Sequence, residues 1–186
     1  MKVKRLSDEV FEIENFLSKE ECNHWIEFSE KKGYEVAKIN MGFRSQVVNT
    51  GIRNNERVIY NSLDLANQLW EKIKIFVVSE TKYAKACGLN ERFRFYKYSP
   101  GQEFKRHQDG AYIRNTNERS EYTLIIYLNE EMIGGETEFT KLKIQPKTGT
   151  AIIFKHERVH SGNIITKGLK YVLRTDIIYK SKKNEI

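Results

Sequence analysis

Apolar positions recur along this chain with two periods, and the change from one to the other falls between Val77 and Phe93. In the first half, Val10-Phe11-Glu12-Ile13 alternates in the manner of a short strand. Ser18 with Glu21 three residues later forms a capping box, which predicts a helix carrying Cys22, Trp25 and Ile26 on one stripe and ending near Gly33. A polar stretch with Gly42, Gly51 and Asn54-Asn55 signals at most short strands. From Ser62, the three- and four-residue steps of Leu65, Ala66, Leu69, Ile73, Phe76 and Val77 predict a second helix.

From Phe93 the pattern is stranded and stays so. Phe93 to Tyr98 alternates and is rich in aromatics, and Ser99-Pro100-Gly101 breaks it. Further strands are expected at Tyr122 to Leu128, Glu136 to Phe139, around Ile144, at Thr150 to Phe154 and at Tyr171 to Tyr179, with a loop from Asn129-Glu130 to Gly134-Gly135. Short strands at this spacing, with no helical period between them, predict an antiparallel sandwich or jelly roll. The fold class is α+β, mainly β, with the two N-terminal helices packed against a sheet as supports.

Composition narrows the picture. At 186 residues, with no Pro- or Ser/Gly-rich linker, the chain reads as a single domain, 1–186. The excess of 32 Lys and Arg over 25 Asp and Glu gives a formal net charge of +7. The positives are dispersed, and their densest cluster, Lys180 to Lys183, is terminal, so a solvated surface is expected rather than a nucleic-acid footprint. No apolar stretch follows the charged N-terminus and none is long enough to span a bilayer, which predicts a cytoplasmic protein without a signal peptide. Cys22 and Cys87 are expected as reduced thiols.

The candidate chemistry lies in the segment after Pro100. His107 and Asp109 are two apart on an extended run and project from one face. An imidazole beside a carboxylate is an ordinary strand-edge ion pair unless a third ligand joins it, in which case the set suits Fe(II) and leaves coordination positions open. Only His24, His156 and His160 remain as imidazoles. His24 falls in the first helix. His156 lies in the charged run Lys155-His156-Glu157-Arg158, expected as a solvated turn. His160 follows an apolar strand and precedes Ser161-Gly162, and is the preferred third ligand.

In order along the chain, Phe16-Leu17-Ser18-Lys19-Glu20-Glu21-Cys22, Tyr98-Ser99-Pro100-Gly101-Gln102-Glu103-Phe104, His107-Gln108-Asp109-Gly110, Tyr127-Leu128-Asn129, Gly134-Gly135-Glu136-Thr137, Pro146-Lys147-Thr148-Gly149, His160-Ser161-Gly162 and Gly168-Leu169-Lys170 resemble the Fe(II)- and 2-oxoglutarate-dependent dioxygenases, in the prolyl 4-hydroxylase-like branch. The resemblance implies a double-stranded β-helix, with residues 1–90 as a support region and 91–180 as the oxygenase core. It implies Fe(II) held by His107, Asp109 and His160, with 2-oxoglutarate and dioxygen as cosubstrates and ascorbate as a reductant. Lys170, ten residues beyond His160, matches the lysine that binds the distal carboxylate of 2-oxoglutarate, and Tyr98 matches a tyrosine that hydrogen-bonds it. Arg174 shares a strand face with Lys170 and is an alternative anchor, or else an ion-pair partner of an acidic neighbour.

The implied reaction is hydroxylation of a C–H bond, with a prolyl residue of a peptide or protein as the leading substrate. A free amino acid, a small metabolite or a nucleobase is the alternative. The loops 40–55 and 110–121 are candidate substrate rims, with Arg53, Arg114 and Arg119 as anchors or solvated charges. A non-catalytic jelly-roll module and a zinc enzyme are the readings from other classes.

Overall fold

The computed structural model describes residues 1–40, 46–47 and 49–182, so Gly42 of the expected rim and Lys183 of the basic tail lie outside the described residues. The elements of the first half are β1 (Lys2–Ser7), β2 (Val10–Glu14), α1 (Lys19–Lys32), β3 (Glu35–Val36), β4 (Ile39–Asn40), β5 (Gln46–Val47), β6 (Glu56–Asn61), α2 (Leu63–Ile73) and β7 (Ala84–Leu89). Then follow β8 (Arg92–Tyr98), β9 (Phe104–His107), β10 (Glu118–Tyr127), β11 (Ile133–Gly134), β12 (Thr137–Phe139) and β13 (Leu142–Ile144). The chain closes with β14 (Ala151–Lys155), β15 (His160–Gly162), β16 (Ile165–Lys167) and β17 (Lys170–Ser181).

The major sheet has the order β1-β2-β14-β10-β17-β8-β6-β3, and β7 adds to β17. Strands from both halves of the chain therefore share one sheet. A second sheet, β13-β12-β15-β9, packs on one face of it through Phe139 and Ile144, which meet Tyr96, Tyr127, Ile152, Phe154 and Val172. The other face, with Phe93, Phe95, Leu124, Ile126 and Leu173, is covered by Cys22 of α1 and by Leu65, Ala66, Leu69 and Ile73 of α2. Two cores on two faces explain why β17 is apolar almost continuously: both sides of it are buried. The mainly β jelly-roll class with supporting helices is the observed one.

Local signals act where the sequence places them. Ser18 accepts from the Glu21 amide while Glu21 reaches back to the Ser18 amide, so the expected capping box opens α1, and Gly33 closes it at φ 81°. Ser62 caps α2 by accepting from the Leu65 amide, without the reciprocal half of a box. That helix ends at Ile73, short of Phe76 and Val77, because the Phe76 amide turns to the Ile73 carbonyl at 2.8 Å; both side chains still pack on the outer core. Strands β1 and β7 carry little apolar signal. Each has a single neighbour in the sheet, so neither needs an apolar run. Cys22 and Cys87 are both free thiols.

Gly149 ties the entry of α1 to the sheet. Its carbonyl accepts from the Phe16 and Leu17 amides at 2.8 and 3.1 Å, and its amide donates to Tyr127 O at 2.8 Å. It sits at φ 73°, and a Cβ there would lie 2.1 Å from Leu17 O. Gly149→Ala is expected to cost about 2–4 kcal/mol, from left-handed strain plus displacement of the α1 entry, and to lower Tm by roughly 5–15 °C. A thermal melt within a degree of wild type would show that this clamp is not needed.

Candidate active site

The inner face of the major sheet presents a lattice of polar residues set by strand register. Lys170 pairs with Tyr98, Val172 with Tyr96 and Arg174 with Arg94 across β17 and β8. On the other side of β17, Val172 pairs with Tyr127, Arg174 with Ile125 and Asp176 with Thr123. Since alternate residues of each strand share a face, all of these belong to one surface. The second sheet brings His107 and His160 above it as direct cross-strand partners at the β9–β15 contact.

His107, Asp109 and His160 offer ligand atoms all within 4.8 Å of one another. The His107 Nε2 lies 3.7 Å from Asp109 Oδ1, and the His160 Nε2 lies 3.8 Å from Asp109 Oδ2. Both rings are oriented the same way. The Nδ1–H of His107 donates to Lys105 O at 2.8 Å and that of His160 to Arg158 O at 2.9 Å, which leaves each Nε2 with a lone pair facing Asp109. Phe104 stacks on His107 at 3.5 Å between ring centroids, and Phe154 lies edge-on to His160 at 4.6 Å.

Protonation favours a metal. Burial, with His160 adding to it, pushes His107 down to about 3, and burial likewise lowers His160. Burial would raise Asp109, but Arg174 and the two imidazoles hold it well below the usual carboxylate range. Two neutral imidazoles and one ionised carboxylate are the protonation states a divalent cation requires.

Lys170 lies in the same cavity, 3% exposed. Its Nζ donates to Gly135 O at 2.5 Å and stands 5.3 and 5.5 Å from the rings of Tyr98 and Tyr127. Among the described residues no carboxylate comes within ion-pair distance, and burial pushes its pKa down to about 8. Gly135, at φ 75°, has no Cβ to crowd the stem, which would meet it 3.1 Å from Lys170 Cδ. Asn129 fixes the start of the strand, accepting from the Tyr171 amide at 2.8 Å and donating to Leu169 O at 2.7 Å. The Tyr-Leu-Asn and Gly-Gly-Glu-Thr segments thus both converge on this lysine.

Arg174 is differently placed. Its guanidinium pairs with Asp109 at 3.0 Å and Asp176 at 3.2 Å, and touches the Tyr96 hydroxyl at 3.4 Å. Burial pushes the Tyr96 phenol up, but Arg53, Arg174 and Arg94 together bring it down to about 8. The ion-pair alternative for Arg174 is therefore realised, with a carboxylate that is itself a candidate ligand.

Among the expected rim residues, Arg53 is buried, sandwiched between Tyr96 and Phe104 at 4.3 and 4.4 Å, with its Nε donating to Asn55 at 2.6 Å. Arg114 is held by Glu91, Glu118 and Leu89 O, whereas Arg119 is exposed. His24 is exposed on α1. One expectation is corrected. His156 does sit in a turn, but its side chain is only 5% exposed, because Ser120 and Thr123 give both ring nitrogens hydrogen-bond partners. The charged neighbours in its run hid this.

The sequence reading missed Tyr96, Tyr127, Thr123 and Thr137 as cavity or ligand-supporting residues. Thr123 carried a faint signal: it is a polar residue on the same strand face as Ile125 and Tyr127, where solvent was not expected.

The description "2OG-Fe(II) oxygenase superfamily" matches residues 93–175, a span that holds all three candidate ligands, Tyr98, Lys170 and Arg174. No curated protein sequence matches the chain. Among solved structures, the chain is similar to a viral collagen prolyl hydroxylase of Paramecium bursaria Chlorella virus-1 in complex with 2OG, at 24% identity and TM-score 0.68, over 95% of this chain and 98% of that one. A Pseudomonas putida prolyl-4-hydroxylase aligns at 15% identity and TM-score 0.66, over 94% of each chain. A Trichoplax adhaerens prolyl hydroxylase in complex with a hypoxia inducible factor peptide aligns at 16% identity and TM-score 0.71, over 92% of this chain and 84% of that one. At these identities the neighbours show the shared fold.

Proposed function

We propose that this chain, whose residues 93–175 match the 2OG-Fe(II) oxygenase superfamily, is a dioxygenase of that kind, hydroxylating a C–H bond of a prolyl residue in a peptide or protein. The observation that carries the reading is the single cavity in which His107, Asp109 and His160 converge beside Lys170, a buried ammonium with no carboxylate partner among the described residues. The residues fit the cofactors. The three ligand side chains would hold Fe(II), and Lys170, with the Tyr98 and Tyr127 hydroxyl-bearing rings beside it, would take the distal carboxylate of 2-oxoglutarate.

When bound, iron and 2-oxoglutarate supply the oxidative chemistry, in which decarboxylation of the cosubstrate to succinate and CO₂ is coupled to insertion of oxygen into the substrate C–H bond. The chain's own residues bind and orient. Lys170 gives a buried positive charge whose desolvation a dicarboxylate would offset. Arg174 is already engaged by Asp109 and Asp176, which favours Lys170 as the anchor. The Phe104, Phe139 and Phe154 rings pack against the two imidazoles and hold them in place.

The prolyl assignment follows the named activities of the structural neighbours, and a cytoplasmic location and a role for ascorbate belong to the same reading. Among the described residues no helix is long and apolar enough to cross a membrane. The test is anaerobic titration of metal-stripped protein with Fe(II) and 2-oxoglutarate, followed in the visible, and then aerobic turnover with proline-containing peptides. A band needing both components, with succinate release and a one-oxygen mass gain in the peptide, is the expected result. A band without peptide oxidation across prolyl substrates would redirect the reading to another C–H donor, and no band would remove it.

A further inference from the structure

We propose that His156 is a positioning residue for the metal centre, acting on Asp109 through the Thr123 hydroxyl; the proposal rests on the metal-centre reading above. The geometry begins at Asp109 itself. Its Oδ1 faces Arg174 at 3.0 Å, and its Oδ2 accepts from the Thr123 hydroxyl at 2.6 Å. A hydroxyl has one proton, and the ionised carboxylate can only accept, so the Thr123 proton is committed to Asp109. Thr123 Oγ1 is also 2.9 Å from His156 Nδ1, and with its proton committed it must accept there, which puts the imidazole proton on Nδ1.

The rest of the chain agrees with that tautomer. His156 Nε2 lies 2.8 Å from the Ser120 hydroxyl, and Ser120 Oγ accepts from the Tyr112 amide at 2.8 Å, so the Ser120 proton is free to point at Nε2. The hydrogen bonds all donate in one direction, from the Tyr112 amide to Ser120, from Ser120 to His156, from His156 to Thr123 and from Thr123 to Asp109. The backbone adds a second tie, since the Asp109 amide donates to His156 O at 3.1 Å. The ring thus holds both the carboxylate and the main chain of one candidate ligand.

Local structure accounts for the contact. Ser120 and Thr123 are three apart on β10, a spacing that in a regular strand puts side chains on opposite faces. The β10–β17 register shifts between Ser120 and Tyr122, and this bulge turns Ser120 to the side of Thr123. His156 then bridges the two. Neither His156 nor Thr123 lines the cavity, so their effect on a metal runs through Asp109.

The test compares Thr123→Val, Thr123→Ser, His156→Phe and His156→Asn with wild type, using metal-stripped protein titrated with Co(II) and followed by its visible d–d bands. Thr123→Val and His156→Phe are expected to weaken Co(II) binding roughly 10- to 100-fold and to shift the bands, as loss of an outer-sphere partner does. Thr123→Ser keeps the hydroxyl and His156→Asn can return a donor near Nδ1, so both are expected within about threefold of wild type, a difference of less than about 0.7 kcal/mol. Circular dichroism and melting check folding; if His156→Phe does not fold, the Thr123 pair and His156→Asn still decide. Wild-type affinity and spectrum in folded Thr123→Val would overturn the proposal while leaving the metal centre standing, as would a His156→Asn variant as weak as Thr123→Val. Failure of wild type to bind Co(II) would remove the metal centre itself and this proposal with it.

Discussion

His107→Ala and His160→Ala are each expected to bring turnover to background and to weaken metal binding by more than about 100-fold, beyond the range for outer-sphere partners. The two imidazoles are direct cross-strand neighbours with both Nε2 atoms facing Asp109, so losing either leaves a two-ligand site with no rigid replacement; His156, the nearest spare imidazole, has both nitrogens engaged elsewhere. Asp109→Ala should lose the metal equally and also destabilise the metal-free protein by about 3–5 kcal/mol. It strips a buried guanidinium of one of its two carboxylate partners. Chemical denaturation of the three metal-free variants separates these effects. Equal stability of Asp109→Ala and His107→Ala would mean that Asp176 alone suffices for Arg174. Retained iron binding in either histidine variant would refute the ligand set.

Lys170→Met is expected to trade function for stability. The folded protein holds the ammonium at a pKa of about 8 against an ordinary 10.5, because burial penalises the charge. The folded state therefore sheds the proton first. The unfolded chain binds more protons between about pH 8 and 10.5, so stability rises with pH through that window and the full cost is present below it. That cost is roughly 3 kcal/mol at pH 7, and losing the bond to Gly135 O takes back about 1 kcal/mol. Metal-free Lys170→Met should thus be more stable than wild type at pH 7 by about 1–3 kcal/mol, and its stability should lack the rise above pH 8.

The same variant should bind 2-oxoglutarate about 100-fold more weakly, since the buried charge-assisted contact to the distal carboxylate is gone. Denaturant melts from pH 7 to 10.5 and cosubstrate titrations in the presence of metal read the two effects separately. Unchanged cosubstrate affinity would move the anchor to Arg174, and unchanged stability would mean that solvent reaches the ammonium in the metal-free protein.

Much of this architecture is legible in the residues alone, because the signals are local. The capping box at Ser18, the start of the second helix at Ser62, the two-residue period of β8 and the apolar runs of β10, β14 and β17 depend only on neighbours in the chain, whereas the end of α2 at Ile73 rather than Val77 did not show there. His107 and Asp109, two apart beyond Pro100, share a face for the same reason, whereas Lys170 was singled out only by the family resemblance, through its spacing from His160.

Tertiary structure alone decided what depends on register and burial. That Arg174 pairs with carboxylates could not be read from a strand face that it shares with Lys170; tertiary structure sets Asp109 and Asp176 beside it. Arg53 became a buried cation between two rings instead of a rim charge because β8 and β9 close around it. His156 looked solvated among Lys155, Glu157 and Arg158, yet a one-residue bulge in β10 gave its ring two hydroxyl partners and a path to Asp109. Periodicity along the chain specifies which residues share a face; which faces meet, and which buried charge is left without a partner, is set by long-range pairing that no local pattern encodes.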